Sequence, residues 1–167
     1  MKHIAGSLIL GTGLLVLMSM AQADTPKSIE EAHLQRCAKP VFYAQTANHK
    51  KEVEICIITP SVSYSFGKVD SAHKEIDLIV PVQNTAYTYR NNQLISLQTF
   101  IVKNGKTHYE IFAGRNDEGK PIANLNVYQG TPESGKRLAE IKLDPNTMVN
   151  NISHALSEDS IADSESQ

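Results

Sequence analysis

Tryptophan is absent from this sequence, and the other aromatic types contribute only six tyrosines and four phenylalanines. The sequence also contains no G-x-S-x-G nucleophile elbow and no H-x-H or H-E-x-x-H spacing of histidines. The first absence removes a common signature of serine hydrolases, and the second removes familiar signatures of zinc enzymes. We therefore predict no catalytic residues, no metal ligands and no cofactor.

An excess of basic residues is absent as well. Past residue 23 the chain carries 15 basic and 18 acidic residues, a net charge of −3. Four of the acids lie in residues 157–167, a Ser- and acid-rich tail without a base, and we predict that this tail is disordered. The rest of the chain is close to neutral, so it offers no basic field for nucleic acid or for an anionic membrane.

The first 23 residues have the pattern of an export signal. Lys2 and His3 form a short basic start, residues 4–20 are mostly apolar, and Ala21-Gln22-Ala23 matches the small-x-small pattern of a cleavage site. A membrane anchor is the alternative, but the run is only marginally long enough to span a bilayer, and no basic stop-transfer cluster follows it. We expect a mature chain that starts at Asp24, has no membrane anchor, and is periplasmic or secreted.

Cysteine is scarce, and the sequence contains only Cys37 and Cys56. In an exported protein the default expectation for one pair is a disulfide bond. The bond would close a loop of about 20 residues and contribute about 3 kcal/mol in the chain-entropy model. Two free or metal-binding thiols are the alternative, which is weaker because no second pair of ligands stands at metal-binding spacing.

The strongest structural pattern is an alternation of apolar and polar residues in three consecutive segments. Val62, Tyr64 and Phe66 alternate with serines, which is typical of a strand with one buried face. The same alternation occurs before and after them, in residues 52–58 and 75–80. We predict three antiparallel strands in succession, at the heart of one sheet.

Further strand patterns occur in residues 40–46, 84–90, 94–103, 106–113, 123–127 and 139–143. Asn104-Gly105 is a strong hairpin signal, because a type I′ turn needs positive φ at both central residues. Asp144 is a candidate cap for a short C-terminal helix that runs through Leu156. Eight or nine short strands predict one mainly all-β domain over residues 24–156, in which an antiparallel meander forms a small β-sandwich or barrel.

Three stretches of the chain, residues 42–48, 54–56 and 63–68, resemble a family of small exported bacterial proteins. That family shares a T-A-N-G-K turn, a following V-C and a Y-S-F-G-K strand end, and it has no assigned activity. The resemblance implies export and a β-rich fold. This chain departs from the family at His49, where the turn usually has Gly, and at Ala44, where many members have Cys. The disulfide connectivity is therefore not transferable from the family.

The segment most open to a functional interpretation is Tyr87-Thr88-Tyr89-Arg90. Tyrosine and arginine are enriched at binding hot spots because they combine large contact area with directional hydrogen bonds. We name Tyr87, Tyr89 and Arg90 as candidate binding residues. The alternative is that both rings face the core and that Arg90 only ends the strand.

Other polar residues are expected to be ordinary surface groups. Glu52 and Glu54 share the polar face of one predicted strand, and we expect both to be solvated rather than paired for acid–base chemistry. His49, His73 and His108 are scattered among predicted turns and strand exteriors, and we expect them to be solvated too.

These observations favour a non-enzymatic, exported periplasmic binding module. Its expected partner is another envelope or secreted protein, and inhibition of an envelope-degrading enzyme such as a lysozyme is one form of this function. That form rests on an analogy of size, compartment and fold. The alternative is a small-ligand carrier or an enzyme that uses the interior or mouth of a barrel.

Overall fold

The structure is a computed structural model, and it describes residues 36–92 and 95–153. The strands are β1 (Pro40–Gln45), β2 (Lys51–Ile58), β3 (Ser61–Lys68), β4 (Ile76–Pro81), β5 (Thr85–Asn91), β6 (Ser96–Asn104), β7 (Thr107–Arg115), β8 (Pro121–Gln129), β9 (Lys136–Lys142) and β10 (Val149–Asn150). Short 3₁₀ turns lie at Val82–Asn84 and Pro145–Thr147. The predicted export signal, the residues that follow it up to residue 35, and the predicted disordered tail fall outside the described residues.

The strands form two antiparallel sheets of five strands each, packed together as a sandwich. Sheet 1 has the order β10-β1-β2-β3-β4, and sheet 2 has the order β5-β6-β7-β8-β9. The predicted meander is confirmed as β2, β3 and β4, and the mainly all-β sandwich is confirmed with it. Within the described ranges, no helix has the length and apolarity that crossing a membrane requires.

The core lies between the sheets, where the apolar halves of the alternating strands meet. Sheet 1 contributes Val62 and Tyr64, and sheet 2 contributes Phe100 and Ile111, all with 0% exposure. The rings of Tyr64 and Tyr109 meet across the sandwich with centroids 4.6 Å apart. Each fully buried large apolar side chain stabilises the fold by about 1.5–3 kcal/mol, so this one cluster is the main source of stability.

The turns follow the sequence signals. Asn104 pairs with Thr107 at the end of the β6–β7 hairpin, and Gly105 adopts a φ of 60°. Positive φ is accessible to glycine without steric cost. His49, in the turn between β1 and β2, also has a positive φ of 56°.

The chain after β9 differs from the expected helix. Asp144 does act as a cap, but it caps only the 3₁₀ turn Pro145–Thr147 by accepting a hydrogen bond from the Asn146 backbone N–H at 2.9 Å. The next residues form β10, where Val149 pairs with Tyr43 of β1. An extended segment can therefore satisfy an edge of sheet 1 here, and the helix through Leu156 is unconfirmed. Its last residues lie outside the described ranges.

The disulfide is confirmed. Cys37 and Cys56 are joined, with Cα atoms 5.9 Å apart, and both are buried. The bond ties the segment before β1 to the middle of β2, where Pro40 and Cys56 already pair.

Candidate binding groove

The outer face of sheet 2 carries more apolar surface than a solvated strand face needs. Leu97 and Ile101 of β6 and Phe112 of β7 point away from the core and are half-buried. Their strand neighbours on the inner face, Phe100 and Ile111, are fully buried. Both faces of β6 and β7 therefore carry large apolar side chains, although only the inner face packs against sheet 1.

A depression of about 460 Å³ lies over these residues, and we call it the sheet 2 groove. It is lined by Thr88, Arg90, Leu97, Thr99, Ile101, Glu110, Phe112, Asn124, Asn126 and Glu133. The lining comes from four adjacent strands, β5 to β8, and from the loop between β8 and β9. Its volume falls in the range of about 300–1,000 Å³ that is typical of ligand pockets.

The β8–β9 loop forms one wall of the groove. Glu133 of this loop lies over the sheet together with Pro132, beside Ile101. Two glycines allow the loop to fold back: Gly130 has a φ of 92°, and a Cβ at Gly135 would lie 2.5 Å from the Thr131 carbonyl oxygen. A side chain at either position would strain the backbone or displace the wall.

The polar groups of the groove are arranged by hydrogen bonds. The Asn126 Nδ2 donates to Glu110 Oε2 at 2.9 Å, which fixes the direction of the amide. Within the described residues, the buried Asn126 Oδ1 has no hydrogen-bond partner. Burial raises the pKa of Tyr128, and the neighbouring Glu110 carboxylate acts in the same direction. Glu110 is thus engaged by an amide, and this end of the groove is rich in acceptors.

A second depression, of about 240 Å³, continues the groove toward the 3₁₀ turn Val82–Asn84. Ile101 and Glu133 line both, so the two form one elongated feature. His108 lines this extension and is only 9% exposed, so the expectation that it is solvated is wrong. In the part of the chain that the structure describes, its Nδ1 has no hydrogen-bond partner.

The structure separates the three candidate binding residues. Tyr87 lies in the core, and its hydroxyl is 3.2 Å from Ser153 Oγ. Tyr89 follows on the same inner face but is 36% exposed, near the strand end. Arg90 points to the opposite face, is exposed, and lines the sheet 2 groove. Arg90 is therefore the one candidate that the fold brings to the groove.

Sequence reasoning missed the floor of the groove. The signal was present, because Phe100, Ile101 and Val102 are consecutive apolar residues, as are Ile111 and Phe112. Adjacent apolar residues in a strand indicate that both faces are at least partly buried. The alternation rule identifies only one buried face per strand, so it does not reveal a second apolar face.

The outer face of sheet 1 holds a buried charge, which corrects the expectation for Glu52. Its carboxylate has 0% exposure, accepts a hydrogen bond from Tyr43 Oη at 2.7 Å, and pairs with Lys74 Nζ at 2.6 Å. Arg36 lies 3.6 Å from both Glu52 and Glu54. Burial raises the pKa of Tyr43, and the bond to Glu52 raises it further. A buried carboxylate needs such partners to remain charged.

Possible metal ligands come together at one place in the described ranges, namely Cys37, Glu54 and Cys56. The two cysteines form the disulfide, so their sulfur atoms are not available as thiolate ligands. His49 instead contacts Asp144, with Nε2 and Oδ2 2.8 Å apart.

Comparison with known proteins adds no identity. No family model, no curated protein and no solved structure matches this chain.

Proposed function

We propose that this protein is a non-enzymatic, exported binding module that holds an extended segment of another envelope or secreted protein in the sheet 2 groove. The observation that carries the proposal is the half-buried apolar floor of Leu97, Ile101 and Phe112 on an outer face, with Arg90 beside it. An exposed apolar patch rimmed by polar residues is typical of an interaction site.

The shape of the groove favours a polypeptide segment. It crosses four strands and continues into the extension, so an elongated partner can contact the whole length. Aromatic and arginine side chains such as Phe112 and Arg90 supply most of the binding energy in protein interfaces. The hydrogen-bonding groups along the groove, among them Thr88, Thr99 and Asn124, match the repeating polar groups of an extended backbone.

Two further observations support the proposal. The disulfide is consistent with an oxidising, exported location. The space between the sheets is occupied by one continuous apolar cluster of described residues, which favours an outer face over a barrel interior as the binding surface. Inhibition of an envelope-degrading enzyme remains one form that such binding can take.

The test uses mature protein, residues 24–167, as bait for envelope extract, with four single variants. Arg90→Ala and Phe112→Ala change the groove. Arg137→Ala and Ile79→Ala are matched controls, because Arg137 is an exposed arginine of β9 and Ile79 is 68% exposed on sheet 1.

We expect a partner that the native protein and both controls retain, and that each groove variant binds about 5- to 150-fold more weakly, the loss of about 1–3 kcal/mol expected at hot spots. Thermal melts of all four variants identify any loss that comes from unfolding. Equal capture by all four variants would refute the groove as the binding surface.

A further inference from the structure

A second opening lies where the two sheets meet, and we call it the mouth. The turn between β1 and β2 lies against the end of β9, because Thr46 forms an isolated bridge with Leu143. In addition, the Ala47 N–H donates to the Lys142 carbonyl at 2.9 Å. The mouth has a volume of about 420 Å³ and lies beside these contacts. It is separate in sequence and lining from the sheet 2 groove.

The turn that borders the mouth is held in one conformation by its own hydrogen bonds. Thr46 Oγ1 accepts from the Lys51 N–H at 3.1 Å, and Asn48 Oδ1 accepts from the Lys50 N–H at 3.1 Å. The 2.8 Å contact between His49 Nε2 and Asp144 Oδ2 ties the turn to the segment after β9. The Lys50 backbone is thus positioned before any ligand arrives, which lowers the entropic cost of binding.

The floor of the mouth is apolar and its rim is basic. Phe66 and Ile141, which belong to different sheets, form the floor with Ala47. Three lysines, Lys50, Lys51 and Lys142, line the same opening.

Glu140 is the acidic residue of the lining, and it is already paired with Arg137 at 2.9 Å. Lys51 pairs with Glu75 at 2.8 Å, whereas Lys50 and Lys142 form no ion pair with any described residue. Because the chain past residue 23 has a net charge of −3, this opening has a local charge opposite to that of the molecule.

We propose that the mouth binds a small amphipathic anion, a carboxylate, sulfonate or phosphate group attached to an apolar body. The apolar body packs on Phe66 and Ile141, and the anionic group contacts Lys50 and Lys142. The inference does not depend on the sheet 2 groove, since no lining residue is shared.

The test is calorimetric titration of the mature protein with three probes: octanoate, octanol and acetate. Octanoate carries both features, octanol only the apolar body, and acetate only the anion. We expect octanoate to bind at least about tenfold more tightly than either of the others. We also expect its affinity to fall several-fold between roughly 50 mM and 500 mM NaCl, because exposed lysines are screened by salt. Equal affinity for octanol would show an unspecific crevice and overturn the proposal.

Lysine and glutamate variants test whether octanoate binds in the mouth. The double variant Lys50→Gln/Lys142→Gln should lower octanoate affinity at least about fivefold, since each exposed charge contributes up to about 1 kcal/mol. Lys106→Gln/Lys136→Gln removes the same charge elsewhere and should change nothing. Glu140→Gln should strengthen binding, a change that a merely structural role would not produce. If both double variants weaken octanoate equally, the contact is diffuse and the mouth is refuted.

Discussion

The position of Gly67 requires a residue without a side chain, because the connection that brings Lys74 to the buried Glu52 passes close to it. The β2–β3 register places it opposite Glu52, and a Cβ there would lie 2.8 Å from the Glu75 nitrogen and 2.9 Å from the Lys74 Cα. The absence of a side chain lets the β3–β4 connection cross the sheet at this point. Lys74 then reaches Glu52, and its Nζ also donates to the Lys68 carbonyl at 2.9 Å.

The ion pairs of Lys74 with Glu52 and of Lys51 with Glu75 allow a buried pair to be compared with an exposed one. Lys74→Met leaves the fully buried Glu52 carboxylate without its nearest cation, so we expect a loss of about 3 kcal/mol in the free energy of unfolding. Lys51→Met breaks the exposed pair with Glu75 and removes the ammonium that lies 5.4 Å from the centroid of the Phe66 ring, and it should cost about 1 kcal/mol. Urea denaturation measures both. Similar losses for the two variants would show that Glu52 does not depend on Lys74.

Replacing Tyr43 and Tyr64 by Phe should have different effects on the stability of the protein. Tyr43→Phe removes the hydrogen bond to Glu52 and should destabilise the protein by about 1–2 kcal/mol. Tyr64→Phe removes a buried hydroxyl that has no partner among the described residues, so it should be neutral or stabilise by up to about 1 kcal/mol. The melting temperatures should therefore move apart. A marked loss in Tyr64→Phe would contradict the structure at this site.

The burial of Tyr43 and Tyr64 predicts that the folded state loses stability at alkaline pH. Burial raises the pKa of Tyr64, and burial together with the Glu52 hydrogen bond raises the pKa of Tyr43. A raised pKa means that the folded state holds these protons more tightly than the unfolded state, whose tyrosines titrate near pH 10. The stability is thus fully present below about pH 10 and falls as the pH rises above it. Absorbance at 295 nm should show part of the tyrosines ionising only when the chain unfolds, and a single ordinary titration of all of them would disprove this.

The burial of Glu52 was not predictable from local sequence. The alternation in β2 placed Glu52 correctly on the face opposite Val53, and a charged residue on an outer face is normally solvated. Its cover consists of Lys74 and Arg36, which are 22 and 16 positions away in the chain. This cover depends on where the β3–β4 connection and the segment before β1 fold. The alternation of residues within one strand gives no information about either.

At the scale of elements, period-2 alternation located the strands well. The predicted segment 61–68 coincides with β3, residues 52–58 differ from β2 by one residue at the start, and residues 75–80 are shifted from β4 by one residue. β10 was missed because two residues carry no periodic signal. Val149 and Asn150, which lie within the span of the expected helix, instead pair with β1, and this pairing satisfies the backbone of an edge strand.

The disulfide links two elements and gives a prediction at that scale. It joins Cys37 before β1 to Cys56 in β2, a separation of 19 residues. Removing it by Cys37→Ala/Cys56→Ala should cost about 3 kcal/mol and lower the melting temperature by roughly 10 °C, because the unfolded chain regains freedom. The sheets should remain, since the core cluster contains neither cysteine. Loss of the β-sheet circular dichroism spectrum at 25 °C would contradict this.

In the whole molecule, each sheet is a meander of neighbouring strands, apart from the return of β10 to β1. Local pairing of this kind is why the meander of β2, β3 and β4 and the β6–β7 hairpin were predictable from the sequence. The sheet 2 groove was not, because it requires the outward residues of four strands and a loop that folds over them. Of its lining residues, Arg90 alone was a candidate binding residue from the sequence, because it lies beside two tyrosines.

The most direct test is amide hydrogen–deuterium exchange of residues 24–167, with and without the partner that the unsubstituted bait captures. Binding in the groove should protect β5 to β8 and residues 130–135, and leave the outer face of sheet 1 and the mouth unchanged. The Arg90→Ala variant should lose this protection at the same partner concentration, while Arg137→Ala keeps it. Protection confined to sheet 1, around β3 and β4, would contradict the assignment of the groove as the binding surface.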